Sequence, residues 1–194
     1  MIGNLIMQDK SLLDEIKETN IAMELISLGA RMQVLENETS LSRRKLLRLY
    51  KELKGCSPPK GLLPFSPDWF MAWEQNVHSS MFYNIYLYLK KTLSGQTIEH
   101  IVKAYRLYNE QCYGNQSEKP VLGLTRAWTL VRFIDCGMIK HTKCFSCGGT
   151  FVVTHEHGDK PFICSLCCTP SRAVKKTMSR GAVTPRPATP MWNN

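Results

Sequence analysis

A mainly α-helical fold, several helices followed by a small β module near the C-terminus, is what this 194-residue sequence predicts. Three observations carry it. Apolar residues recur at helical spacing through most of residues 11 to 137. Gly29, Gly55 and Gly137 stand where those runs stop. After Met138 the texture changes to Cys, Gly, His and β-branched residues, and Thr150 to Thr154 reads as a strand.

The elements follow in order. Ile16, Ile21, Leu25 and Leu28 lie on one helix that Gly29 breaks or bends. Ala30 to Glu36 makes a second, short helix, and Asn37 to Ser40 is a polar turn. Ser40 or Ser42 caps a third helix, Arg43 to Lys54, with Leu46, Leu49, Tyr50 and Leu53 on one face and Gly55 as its stop. Residues 55–67 hold four of the ten prolines, and Leu62, Leu63 and Phe65 argue for a connector packed on something. Trp69, Trp73, Val77, Met81, Ile85, Leu89 and Leu93 recur every four residues as one stripe, with Asp68 as the cap. Ile98 to Cys112 makes a further helix, and residues 113–119 form a polar loop. Pro120 opens the next helix, which carries Leu124, Trp128, Val131 and Ile134. The expected organisation is a helical segment 1–54, a Pro-rich connector 55–67, a helical core 68–139, a cysteine module 140–168 and a basic, flexible tail 169–194.

Composition narrows the function classes. With 43% hydrophobic and 21% charged residues the chain is neither collagen-like nor fully disordered. The apolar run Met81 to Leu89 is broken by Asn84 and is far short of the ~20 residues a membrane span needs. Met1 to Ile6 is too short for a secretory signal and is followed by acidic residues. A cytoplasmic protein with reduced thiols is expected, without a membrane partner.

The net charge of +9 is unevenly spread. Residues 39–60 carry seven basic groups against one acidic, and residues 140–194 carry eight against two, whereas residues 1–38 are net acidic. Such blocks suit a polyanion such as nucleic acid, and equally a solvated surface. The short helix, turn and helix over residues 30–54 match a helix-turn-helix, whose second helix enters the major groove. Its leading end presents Arg43, Arg44 and Lys45, followed by Arg48, residue types that pair with guanine or neutralise phosphate. An amphipathic helix with a basic outer face is the other reading. Arg172, Lys175 and Lys176 provide a second candidate set for phosphate.

The most specific signal is Cys144-x2-Cys147, sixteen residues, then Cys164-x2-Cys167. Each C-x2-C turn aims two sulfurs at one point, and two turns close a tetrahedral thiolate site around zinc. Four thiolates fill the shell, so the expected cofactor is one structural Zn2+ in a zinc-ribbon-like β module, with the hairpin lying between the two pairs. Cys168 in place of Cys167 makes a C-x3-C loop and is less favoured, and His155 and His157 read as surface residues. The zinc-deaminase signature is not met: neither C-x2-C follows a proline and His155-Glu156-His157 does not fit. Cys56, Cys112 and Cys136 stand singly; a free Cys is often a small buried hydrophobe, and these are given no role.

Residues 22–31, Leu46 to Leu53, Pro58 to Phe70, Trp73 to His78, Lys103 to Tyr108, Leu124 to Phe133, Cys164 to Cys167 and Pro170 to Lys176 together resemble the bacterial flagellar transcriptional activator family FlhC. The resemblance covers residues 20 to about 176. It implies a hetero-oligomer with a smaller helical FlhD-type subunit, binding to duplex promoter DNA upstream of flagellar operons, and recruitment of RNA polymerase. A four-cysteine zinc site near the C-terminus also belongs to that family and falls on Cys144, Cys147, Cys164 and Cys167. The leading expectation is therefore a non-enzymatic DNA-binding activator subunit. A zinc-ribbon RNA-binding protein is the alternative, although no aromatic pattern of the ribonucleoprotein type is present. A nuclease lacks the clustered carboxylates or open metal site it requires.

Overall fold

The computed structural model describes residues 11–114, 119–157 and 161–171. Six α-helices precede a two-stranded antiparallel sheet among these residues: α1 Leu12–Ser27, α2 Met32–Glu38, α3 Arg43–Lys54, α4 Trp73–Thr92, α5 Thr97–Tyr113, α6 Leu124–Asp135, β1 Ile139–Lys143 and β2 Thr150–Thr154. A 3-10 turn, Pro67–Met71, leads into α4. Residues 115–118 of the expected polar loop, and the expected tail from Arg172 onward, lie outside the described residues.

One apolar core runs from Ala22 on α1 to Val152 on β2. Leu25 and Ile26 of α1 meet Leu46 and Tyr50 of α3 in it, and Phe82 and Tyr86 of α4 meet Ile101 and Tyr108 of α5. The ends of α3 are set locally. Ser42 Oγ accepts from the Lys45 N–H at 3.4 Å, and Gly55 adopts φ 68°, the left-handed region that lets its N–H reach the Lys51 carbonyl at 2.9 Å. The short helix α2 is fixed to α6 by polar contacts: the Arg31 N–H donates to Thr125 Oγ1 at 3.1 Å, and the Trp128 indole donates to Glu38 at 2.6 Å.

Several expectations are corrected. The four-residue stripe of α4 faces the core only in part: Leu89 is buried and Trp69 and Ile85 pack against the core, whereas Met81 and Leu93 turn away from it. A helix turns 3.6 residues per revolution, so a strict four-residue repeat drifts about 40° per step and winds out to solvent. Met81 is 37% and Leu93 41% exposed, while Asn76, Ser79, Ser80, Phe82, Tyr83, Tyr86 and Leu89 are buried. Asp68 caps nothing at α4: it lies within the 3-10 turn, where Ser66 is the cap, and α4 starts at Trp73. Pro120 stands upstream of α6, whose boundary residue is Gly123. Ile16 and Leu53, members of the apolar spacings read for α1 and α3, are exposed near helix ends. In the connector Leu63 packs on the core, but Leu62 and Phe65 point outward, 81% and 83% exposed.

Candidate metal centre and basic helix

The sequence between residues 139 and 154 folds as a hairpin whose turn is the first cysteine pair. Register pairs Ile139 with Thr154 and Lys143 with Thr150. The turn is closed by Cys144 N–H to Gly149 O at 2.8 Å and Gly148 N–H to Cys144 O at 2.9 Å. Gly148 takes φ 69°, and a Cβ at Gly149 would lie 3.2 Å from the Phe151 ring and 3.4 Å from the Cys147 sulfur, so both positions favour glycine. The hairpin thus flanks the first pair rather than lying between the two pairs, because β1 precedes Cys144.

The second pair is brought alongside by Phe145 N–H to Phe162 O at 2.7 Å, and its own turn closes through Cys167 N–H to Cys164 O at 3.1 Å. Phe151 and Phe162 pack with centroids 6.2 Å apart and form a small apolar cluster with Cys144 and Cys164.

The sulfurs of Cys144, Cys147, Cys164 and Cys167 all lie within 4.8 Å of one another. The closest cross-pairs are Cys147 to Cys164 at 3.8 Å and Cys144 to Cys167 at 4.0 Å. A tetrahedral shell with metal–sulfur bonds of about 2.3 Å separates sulfurs by about 3.8 Å. The cluster therefore has the size and donor set of a four-thiolate metal site. Cys144 and Cys164 sit inside, and Cys147 and Cys167 line the outer edge. The Cys164 backbone N–H, 3.2 Å from the Cys144 sulfur, favours the Cys144 thiolate and pulls its pKa down, whereas burial pushes the Cys164 thiol up. The thiolate is the form that binds metal. Cys168 and His155 are exposed and stand outside the cluster.

The helical body grips this module through one row of α4. Asn76 Nδ2 donates to Val152 O at 2.9 Å, Ser80 Oγ accepts from the Val152 N–H at 3.0 Å, and Asn84 Nδ2 donates to Thr150 O at 2.9 Å. These are the backbone groups of β2 that its pairing with β1 leaves over. The Trp73 indole adds a bond to Ser165 O at 3.2 Å. Apolar periodicity puts Trp73 in a core and gives these polar residues no role. The signal that could have found them is their spacing, i, i+4 and i+8 on one helix.

The basic residues predicted for DNA contact divide. Arg43, Arg44, Lys45 and Arg48 are all exposed along α3. Arg43 pairs with Glu36, Lys45 with Glu15, and Arg48 with Glu52 at 2.8 Å; Arg44 has no ion pair among the described residues. Arg172, Lys175 and Lys176 lie outside the described residues. Of the single cysteines, Cys56 and Cys136 are exposed and Cys112 is half-buried. No helix among the described residues is long and apolar enough to cross a membrane.

Fold and site together define a helical protein that carries a four-cysteine module on its surface. Comparison with known proteins makes this specific. Residues 7–180 match the family described as flagellar transcriptional activator (FlhC). The chain is 72% identical over 169 residues to the flagellar transcriptional regulator FlhC of Enterobacter cloacae subsp. cloacae, covering 87% of this chain and 88% of that one. It is 68% identical to the FlhC regulator of Erwinia tasmaniensis (86% and 94% covered) and 59% identical to that of Xenorhabdus nematophila (94% and 92%). The chain belongs to the FlhC family and is a flagellar transcriptional regulator.

Proposed function

We propose that this chain is the DNA-binding subunit of a cytoplasmic hetero-oligomer formed with an FlhD-type partner. The assembly activates flagellar operons by engaging duplex promoter DNA and RNA polymerase, and the chain has no catalytic role. The observation that carries this reading is the family match, which runs through the helical body and the cysteine module alike.

One zinc ion is the natural occupant of the Cys144, Cys147, Cys164 and Cys167 cluster, since four soft thiolates at tetrahedral spacing select it and leave no position for substrate. Its role is structural: it locks the two knuckles that the α4 row attaches to the body.

Arg43, Arg44, Lys45 and Arg48 on α3 are the candidate groove contacts, and Arg172, Lys175 and Lys176 the candidate phosphate contacts. The ion pairs of α3 do not oppose this. Exposed pairs contribute about 0.2–1 kcal/mol each, so a phosphate or a guanine edge competes readily for the same guanidinium.

The test is co-expression with an FlhD-type subunit, followed by elemental analysis and binding to flagellar-promoter and random duplexes. A zinc-bearing complex that prefers the promoter is the expected result. A chain that binds single-stranded RNA in preference to either duplex would favour an RNA-binding function instead.

A further inference from the structure

Arg31 and Arg126 line one shallow cavity of about 360 Å³ where α2, α6 and the connector meet. The Arg126 guanidinium lies over the Trp69 ring, 3.8 Å from its centroid. Arg31 reaches across to the Leu62 carbonyl, and a Cβ at Gly61 would stand 3.3 Å from its guanidinium. Neither arginine forms an ion pair among the described residues, although Arg43, Arg48, Arg106 and Arg132 all have carboxylates within 4.0 Å. Burial and the neighbouring Arg31 charge both push the Arg126 pKa down. Two cations facing one cavity without a counter-ion favour an anion there. A guanidinium stacked on an indole keeps its in-plane N–H donors, which match a carboxylate or phosphate bidentately.

The remaining wall decides between those two. Leu62, Leu63, Pro64 and Phe65 line the same cavity, and Leu62 and Phe65 are among the most exposed large apolar side chains of the described residues. A phosphate group itself has nothing to place against such a wall, whereas an acidic peptide carries apolar side chains beside its carboxylates. Trp, Arg and neighbouring aromatic residues are also the composition of protein–protein hot spots. We propose that this cavity docks an acidic segment of a protein partner, with a carboxylate seated between Arg31 and Arg126 and an adjacent apolar side chain against Leu62 and Phe65. Arg43, Arg44, Lys45 and Arg48, the described residues assigned to DNA, do not line this cavity, so the two assignments are tested by different substitutions.

The probe is a displayed library of random twelve-residue peptides selected against the full chain. Enriched sequences are expected to place Asp or Glu beside Leu, Phe or another large apolar residue. A synthetic peptide of the enriched sequence should bind on the order of tenfold more weakly to Arg126→Gln. The same loss is expected with Phe65→Ser, which alters only an exposed side chain and so holds the test open if Arg126→Gln disturbs folding. A triple Arg43, Arg44 and Arg48 to Ala variant should bind the peptide as wild type does. Enrichment of basic or purely apolar sequences, no enrichment, or equal binding by Phe65→Ser would overturn the proposal. So would duplex DNA affinity that drops in Arg126→Gln with a salt slope flatter by about one, which would make the cavity a phosphate site.

Discussion

The indole N–H of Trp73 donates to the carbonyl of Ser165 at 3.2 Å, joining the first turn of α4 to the second cysteine knuckle across 92 positions of sequence. Cys164, one residue before Ser165, belongs to the sulfur cluster. The stability of the metal module is thereby coupled to α4, and through Asn76, Ser80 and Asn84 to the central helical core.

Trp73→Phe keeps an aromatic ring, though a smaller one, and removes the donor. A loss of about 1 kcal/mol is expected, lowering the melting temperature by roughly 2–4 °C with helicity unchanged. Limited proteolysis should cut first near the second knuckle. A variant as resistant as wild type there would show that the bond contributes nothing.

Asn76 is the stronger link, because its amide is buried and serves both Phe70 O at 3.1 Å and Val152 O at 2.9 Å. Asn76→Leu strands both carbonyls and should cost about 2–3 kcal/mol in urea unfolding. Asn84→Ala removes an exposed bond and should cost about 0.5 kcal/mol or less. Equal costs would contradict the buried ladder.

Much of this is legible in the sequence, and the misses have physical causes. Helix α3 is readable because capping and periodicity agree, with Ser42 and Gly55 bounding it, and α5 because Ile98, Ile101, Tyr105 and Tyr108 stripe it. The sulfur cluster is readable because C-x2-C spacing constrains geometry locally. The buried face of α4 is not, since Asn76 and Ser80 are polar residues buried to satisfy β2, whose edge is set by tertiary packing. The outward turn of Leu62 and Phe65 is equally hidden, because apolar composition does not say which side of a connector faces the body.

Zinc removal should act locally. The binding free energy of such a site is on the order of 10 kcal/mol and emerges as folding free energy of the knuckles. Chelation, or Cys144→Ser, should expose the 139–171 region to protease while far-UV circular dichroism retains the helices. Native protein without zinc by elemental analysis would defeat the assignment of the cluster to a structural zinc.

Acid should destabilise the body through His78. Burial lowers its pKa below the ordinary 6.5, outweighing the upward pull of Glu74, and Tyr108 Oη lies 2.8 Å from its Nδ1. The unfolded chain then takes up the proton first, so the stability from neutral His78 is full above pH 6.5 and is lost as pH falls through the folded pKa. Urea unfolding at about pH 7.5 and about pH 5.5 should show a smaller drop in His78→Gln than in wild type. An identical drop would place the acid sensitivity elsewhere.

The most direct measurement takes the complex co-purified with an FlhD-type subunit and compares its affinity for a flagellar promoter and a random duplex over a range of salt concentrations. The wild-type complex should prefer the promoter, and replacing Arg43, Arg44 and Arg48 with Ala should collapse that preference by roughly 1–3 kcal/mol for each arginine that reads a base. A promoter-to-random ratio left intact by those substitutions would contradict α3 as the reading helix, and equal affinity of the wild-type complex for both duplexes would contradict sequence-specific activation itself.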